Sequence, residues 1–172
     1  MHRLAAASFA AAASALLLVG CASGGAITED SSAPENDTVT AGKLTIATGE
    51  PAYYPWVIDD EPESGEGFEA AVAYAVAEEM GYAKADVVWV RTLFEEAIAP
   101  GPKDFDLNVQ QFSITDERKQ AVDFSSAYYE TSQVVITVEG SAAADATTLA
   151  DLKPLLVGAA TGTTSFTAVE TL

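Results

Sequence analysis

The sequence predicts an α/β fold. Strand-like and helix-like segments alternate from Lys43 onward, and this alternation is typical of right-handed βαβ units that build one sheet. Three loops rich in hydroxyl, aromatic or glycine residues follow predicted strands, at residues 49–56, 110–118 and 161–165. Because ligands of such sheets bind beyond the carboxyl ends of the strands, we expect these loops to form a binding site.

The first predicted strand and helix carry the clearest apolar patterns. In the strand Lys43–Thr48, Leu44 and Ile46 take alternate positions and are expected to face the core. A loop interrupted by three prolines follows, and then a helix that Gly81 ends. The helix is predicted because mostly apolar residues recur at helical spacing, at Phe68, Val72, Ala75, Val76, Glu79 and Met80.

The remaining elements are predicted from short apolar runs between turn residues. In chain order they are a strand at Asp86–Val90, a helix at 93–99, strands at Phe105–Val109 and Ser132–Glu139, a connector at Gly140–Ala146, a helical turn at 148–153, a strand at Leu155–Ala160 and a helix within 161–172. Together with the first strand and helix, these segments make up the predicted domain.

The N-terminus predicts a secretory signal over residues 1–20. Positive charge at the start precedes an apolar, alanine-rich run from Leu4 to Val19, which is short for a membrane span. The run leads into LLVGC, which resembles the lipobox of bacterial lipoproteins and contains Cys21, the single cysteine of the chain. The resemblance implies cleavage before Cys21 and acylation of its thiol and new amine, palmitate being one such acyl group. An ordinary signal with a chance cysteine is the alternative.

Residues 21–41 are expected to be a flexible tether that begins at the lipidated cysteine. They are rich in Ser, Gly, Thr, Pro and acidic residues and show no apolar period. Such a composition cannot bury enough apolar surface to order itself. We therefore expect the tether to hold a folded domain near a membrane without placing it inside.

Composition and charge exclude several classes of function. Removal of the signal also removes His2, the single histidine, and lipid would occupy the thiol. This excludes Ser-His-Asp and Cys-His catalysis, disulfides, and zinc sites that need His or Cys, and we expect no cofactor and no metal. A net charge of −18 repels phosphate backbones, so nucleic acid is not an expected partner.

The segment QQFSITDERKQAVDFSSAYYE, residues 110–130, places a guanidinium close to hydroxyl and amide groups. Arg118 follows Ser113 and Thr115 and precedes a short apolar run. From the residues alone, a surface turn in which Arg118 pairs with Asp116 or Asp123 is the simpler interpretation. A surface turn would not, however, require a hydroxyl, an amide and a guanidinium so close together in the chain.

Several stretches of the sequence resemble the extracellular solute-binding proteins of polar amino-acid ABC importers, family 3. The stretches are KLTIAT…YYPW, GEGFEAAVAYAVAEEMGY, FDLNVQQFSITDERKQAVDFSSAYYE, QVVITVE and LADLKPLLVGAATGTTS, between about Gly42 and about Phe166. The resemblance implies a periplasmic-binding-protein-like type II fold. Residues 42–138 would form a nearly complete first lobe, and 139–172 the hinge and the incomplete start of a second lobe, as in a C-terminally truncated member.

The same resemblance implies how an amino acid would be held at its two charged ends. Arg118 would bind the α-carboxylate from the first lobe, and Thr163 and Thr164 would bind it from the second. Ser113 and the Gln111 carbonyl would take the α-ammonium.

The resemblance also implies which residues would surround the ligand's side chain. Tyr53 would cover its carbon chain, with Phe94 and Phe112 as further ligand-binding residues. Glu50 sits where some members carry an acid that reads the side chain. Trp56 is expected to be a core residue rather than a ligand contact.

The function implied is a lipid-anchored receptor that captures a polar amino acid outside the membrane and delivers it to ABC permease subunits. Such a protein would be a monomer and a cell-membrane lipoprotein exposed to the extracellular or periplasmic side. A secreted, dehydratase-like enzyme on the same fold is an alternative, but Glu50 is its one plausible proton-transfer group, so we expect no enzyme. A truncated fragment that does not bind is the other alternative.

Overall fold

The structure is a computed structural model that describes residues 37–171, and its centre is a three-stranded parallel sheet. Strand β1 spans Leu44–Gly49, β2 spans Val87–Thr92 and β3 spans Leu107–Asn108. The strand order is β2-β1-β3, and both neighbours run parallel to β1. The predicted α/β sheet is therefore confirmed, with a third strand shorter than the sequence indicates.

Within residues 37–171, four α-helices accompany the sheet at the predicted positions. They are α1 (Phe68–Glu79), α2 (Phe94–Ile98), α3 (Leu149–Leu152) and α4 (Thr164–Glu170). Short 3-10 turns occupy Pro62–Ser64, Lys84–Asp86 and Arg118–Gln120. Over residues 37–171, no helix combines the length and the apolar character that crossing a bilayer requires.

The main core lies between β1 and α1. Leu44 and Ile46 are 0% exposed and pack with Ala73 and Ala77 of α1. The predicted inward positions on the first strand are confirmed. Complete burial of a leucine or isoleucine side chain contributes about 1.5–3 kcal/mol to folding. These contacts hold α1 against β1, the central strand of the sheet.

The buried face of α1 differs from the apolar positions that the sequence indicated. Phe68 and Val76 are each 39% exposed, and Ala75 and Glu79 are also exposed. The side chains that the helix buries are Glu69, Ala70, Ala73 and Ala77. The helix is alanine-rich on every side, so small residues can face the sheet at close distance and larger ones are left at the periphery.

The predicted strands Ser132–Glu139 and Leu155–Ala160 are not found. These segments have no strand structure, and Ile136 and Leu156 are 89% and 105% exposed. A strand forms only when a neighbour accepts and donates its backbone hydrogen bonds, and residues 37–171 provide no such neighbour here. An open, largely apolar cavity of about 1010 Å³ lies between them instead.

At the amino edge of the sheet, Asp106 connects the N-terminal segment to β1. Its carboxylate accepts hydrogen bonds from the backbone N–H groups of Val39 and Thr45, each at 2.7 Å. The Asp106 N–H in turn donates to the Thr45 carbonyl at 2.9 Å. The chain before β1 is therefore attached at the edge opposite to the carboxyl ends of the strands.

Candidate functional site

The loops that follow β1 and β3 lie beside each other at the carboxyl edge of the sheet. A Cβ atom built on Gly49 would lie 3.1 Å from Nε2 of Gln110, which places the ends of the two strands in contact. The third predicted loop, 161–165, follows no strand. It nevertheless reaches the same neighbourhood, because Gly162 and Thr164 contact the loop after β3.

Arg118 is at the centre of this neighbourhood. It is 9% exposed and lies in the 3-10 turn Arg118–Gln120. Its Nη1 donates to the Ser113 carbonyl and its Nη2 donates to the Gly162 carbonyl, both at 2.8 Å. The simpler interpretation, an ion pair with Asp116 or Asp123, is not found among the described ion pairs, and Asp116 pairs with Lys119 at 3.2 Å.

An aromatic pair packs beside the guanidinium. The ring centroids of Phe94 and Phe112 are 4.3 Å apart, and Cζ of Arg118 lies 5.4 Å and 5.7 Å from them. Burial lowers the pKa of Arg118 from its usual value, and the charge of Glu117 acts in the opposite direction. An arginine keeps its charge in proteins under such shifts, so the site presents a partly desolvated cation.

The Arg118 guanidinium retains hydrogen-bonding capacity. Two of its five N–H groups have carbonyl partners, and the other three have none within residues 37–171. A carboxylate can accept two parallel hydrogen bonds from such a fork. The arrangement can therefore bind a small anion beside an apolar wall.

Hydroxyl and amide groups extend the cluster. The hydroxyls of Ser113 and Thr164 are 3.0 Å apart, and Nε2 of Gln133 donates to the Thr164 hydroxyl at 3.1 Å. The Ser165 hydroxyl donates to Oε1 of Gln133 at 2.7 Å. Thr163 has a local role, since its hydroxyl accepts from the Phe166 N–H at 3.1 Å at the start of α4.

Gln111 is attached to a buried carboxylate rather than to Arg118. Its backbone N–H donates to Oε1 of Glu69 at 2.7 Å, and its side-chain amide donates to Oε2 of the same residue. The Tyr128 hydroxyl also donates to Glu69, at 2.6 Å. Burial, followed by the hydrogen bond to Glu69, raises the pKa of Tyr128, so the hydroxyl remains a donor.

The other predicted site residues lie outside the Arg118 cluster. Glu50 is exposed after β1 and Tyr53 is 62% exposed, and no described side-chain bond joins either of them to Arg118. Trp56, expected to be a core residue, is half-buried and packs edge-on against Tyr129, with ring centroids 4.9 Å apart. Cys21 lies outside the described residues.

Three residues in this region were missed by sequence reasoning. Glu69 accepts hydrogen bonds from Gln111. Gln133 donates to the Thr164 hydroxyl and accepts from the Ser165 hydroxyl. A Cβ atom built on Gly162 would lie 3.1 Å from Oε1 of Glu95. Glu69 lies on the buried side of the alanine-rich helix α1, and the sequence of that helix does not show which side is buried. The sequence carries no signal for Gln133 or Glu95 either.

A parallel α/β sheet whose carboxyl edge carries a buried arginine, hydroxyl groups and an aromatic pair is typical of proteins that bind small charged solutes. The sequence model of the bacterial extracellular solute-binding proteins, family 3, matches residues 44–164. The chain belongs to this family.

Three curated proteins are similar to the chain. An L-arginine-binding protein of Pseudomonas aeruginosa is 33% identical over 74% of this chain and 48% of its own length. Probable histidine-binding proteins of Campylobacter jejuni and Neisseria gonorrhoeae are 28% and 32% identical, over 78% and 95% of this chain and 49% and 57% of their own lengths. The chain thus spans about half the length of the curated relatives it matches. No solved structure gave a significant match.

Proposed function

We propose that the protein is the solute-binding component of an ABC importer for a polar amino acid. The observation that carries the proposal is Arg118, whose buried guanidinium lies beside the Phe94–Phe112 pair and keeps N–H groups that have no partner among residues 37–171. Its charge fits the α-carboxylate, and the family to which the chain belongs consists of binding proteins.

The two ends of the ligand would be recognised on either side of Arg118. Thr163 and Thr164 supply the second half of the carboxylate clamp, and the Thr164 hydroxyl already lies 3.0 Å from that of Ser113. Ser113 and the Gln111 carbonyl take the α-ammonium. Each of these groups would contribute hydrogen bonds to the ligand, and closure around the ligand would exclude water and strengthen the charge-assisted ones.

The ligand's side chain would be polar, and a basic side chain fits best. The relatives are named for arginine and histidine. Glu50 follows β1 at the same sheet edge, and the Glu95 carboxylate lies against Gly162. Carboxylates at these positions would favour a cationic side chain over an anionic one, with Tyr53 covering its carbon chain.

The partners follow from this role. The loaded receptor would deliver its amino acid to ABC permease subunits as a monomer. It would act at the outer face of a membrane, held by lipid on Cys21 and by the tether of residues 21–41. Because its family consists of binding proteins, the protein is proposed to bind its ligand without transforming it.

Amino-acid binding can be tested by nuclear magnetic resonance on the ¹⁵N-labelled 172-residue chain. We expect L-arginine or L-histidine to shift the Nε–Hε signal of Arg118 and the backbone amide of Ser113. The dissociation constant should be weak, about millimolar, because high affinity in this fold requires two lobes that close on one ligand. The segments that would build the second lobe lack strand structure here.

The chain offers an internal control. Arg91 forms an ion pair with Asp60 and has no contact with the Arg118 cluster among the described interactions. Its Nε–Hε signal should stay in place while that of Arg118 moves. The corresponding amino-acid amides, which lack the carboxylate, should leave both signals unchanged. No shift at Arg118 with any of the twenty amino acids at tens of millimolar, about tenfold above the expected dissociation constant, would contradict the proposal.

Membrane attachment is tested by substitution of Cys21. We expect Cys21→Ser to release the protein from the membrane fraction into the periplasm or the medium, because serine offers no thiol for acylation. The measurement is partition between detergent and aqueous phases, with Ser23→Ala as the control beside the cleavage point. Unchanged partition of the Cys21→Ser protein into detergent would rule out this anchor.

A further inference from the structure

We propose that Glu69 is a positioning residue that holds Gln111 in the conformation the ligand site requires. The inference rests on the proposed function, since it concerns the α-ammonium end of that site. Glu69 itself would not touch the ligand, because its side chain is 0% exposed beneath the loop.

The environment of Glu69 is built for a carboxylate. It accepts hydrogen bonds from the backbone N–H of Gln111 at 2.7 Å, from the Gln111 side-chain amide and from the Tyr128 hydroxyl at 2.6 Å. Glu69 is also the second residue of the twelve-residue helix α1, where the positive end of the helix dipole favours a negative charge. A fully buried acid is rare unless its oxygens are satisfied in this way.

Gln111 is the residue that this carboxylate constrains. Its φ of 52° lies in the left-handed region, which is unfavourable for a residue other than glycine. Both of its N–H-bearing groups are turned to Glu69, one from the backbone and one from the side chain. Two bonds from one residue to one acid fix both the peptide plane and the side chain.

The constraint determines which group of Gln111 remains for a ligand. Its backbone carbonyl has no hydrogen-bond partner within residues 37–171, whereas its backbone N–H and one N–H of its side-chain amide are bonded to Glu69. The carbonyl is an acceptor, as an ammonium group requires. Ser113 and then Arg118 follow in the same loop, so the conformation at Gln111 sets where the chain places both.

The competing explanation is that Glu69 only stabilises α1 and its contact with Tyr128. Under that explanation, loss of the carboxylate would lower stability without changing the geometry of the loop or its affinity for a ligand. The two explanations therefore differ in what happens at Gln111, and the experiment must observe that residue directly.

The test compares Glu69→Gln with Glu79→Gln, which removes an acid from the exposed side of the same helix. In the ¹⁵N-labelled chain, we expect Glu69→Gln to move the Gln111 amide proton signal upfield, because its bond to a carboxylate is lost. Titration with L-arginine, followed at the Arg118 Nε–Hε signal, should show binding weaker by a factor of about 5 to 150. Glu79→Gln should change neither quantity.

A second variant covers the case in which Glu69→Gln does not fold. Glu69→Asp keeps the charge, but its side chain is one methylene shorter and places the carboxylate further from Gln111. We expect a smaller upfield shift of the Gln111 amide signal and a smaller loss of affinity than in Glu69→Gln. If either folded variant leaves the Gln111 signal and the affinity at parental values, Glu69 is not a positioning residue. If the parent chain shows no ligand-induced shift at Arg118, the proposed function fails. The inference is tested separately, because a Gln111 amide signal that does not move in Glu69→Gln contradicts it whether or not a ligand binds.

Discussion

Arg118→Ala is expected to abolish amino-acid binding. The guanidinium is buried and carries the charge that would face the α-carboxylate, and three of its N–H groups have no partner in the described part of the chain. Removing one partner of a buried, hydrogen-bonded charge pair costs about 2–5 kcal/mol, a factor of tens to thousands in affinity. Calorimetry on a form that carries both lobes would measure this loss. In the 172-residue chain, the resonance shifts that millimolar amino acid induces should disappear.

Two further variants make the Arg118 result specific. Arg118→Lys should also bind poorly, because an ammonium cannot reproduce two parallel hydrogen bonds in one plane. Arg91→Ala removes a guanidinium that pairs with Asp60 elsewhere and should leave affinity unchanged. Binding by Arg118→Ala within a few-fold of the parent would show that the carboxylate is held by other groups.

Gly67→Ala is expected to be the most damaging small substitution in the fold. Gly67 precedes α1 with a φ of 105°, and an added Cβ would lie 2.5 Å from the Trp56 carbonyl oxygen and 2.7 Å from Cα of Val57. These are backbone atoms, and the Trp56 carbonyl also accepts the Glu69 N–H at 3.0 Å. We expect a loss of about 3 kcal/mol or more in the free energy of unfolding, a large share of ordinary domain stability.

Gly101→Ala is the matched control for this prediction. Gly101 has a similar φ of 116°, but nothing lies within 4 Å of its built Cβ. Backbone strain alone should cost about 1–2 kcal/mol there. Urea unfolding followed by tryptophan fluorescence measures both values. Equal losses in the two variants would mean that the contact with the Trp56–Val57 backbone contributes nothing beyond strain.

The parts of the fold that were predictable are those that local patterns determine. Leu44 and Ile46 mark β1 by their alternation, and both are fully buried. The segments 132–139 and 155–160 carry equally apolar patterns but form no strand. A pattern describes the faces of a strand and does not supply the neighbour that completes its hydrogen bonds, so local sequence could not decide these two cases.

The candidate site was predictable where its residues share one loop. Ser113 and Arg118 are five positions apart, and their contact follows from a single turn of chain. Glu69 lies 42 positions from Gln111, and its role depends on which side of an alanine-rich helix faces the sheet. The side chains on that helix differ too little in size for sequence to show which side this is.

The bond between Asp106 and Val39 has a mechanical consequence. Strand β1 is six residues long, about 20 Å at 3.3 Å per residue, and this length separates the Asp106 end from the Arg118 end of the sheet. With the protein anchored at Cys21 as proposed, tension along the N-terminal segment would reach the Val39–Asp106 bond before it reached β1. The Asp106 carboxylate would therefore bear the first load, at the end of the sheet opposite to the ligand-binding edge.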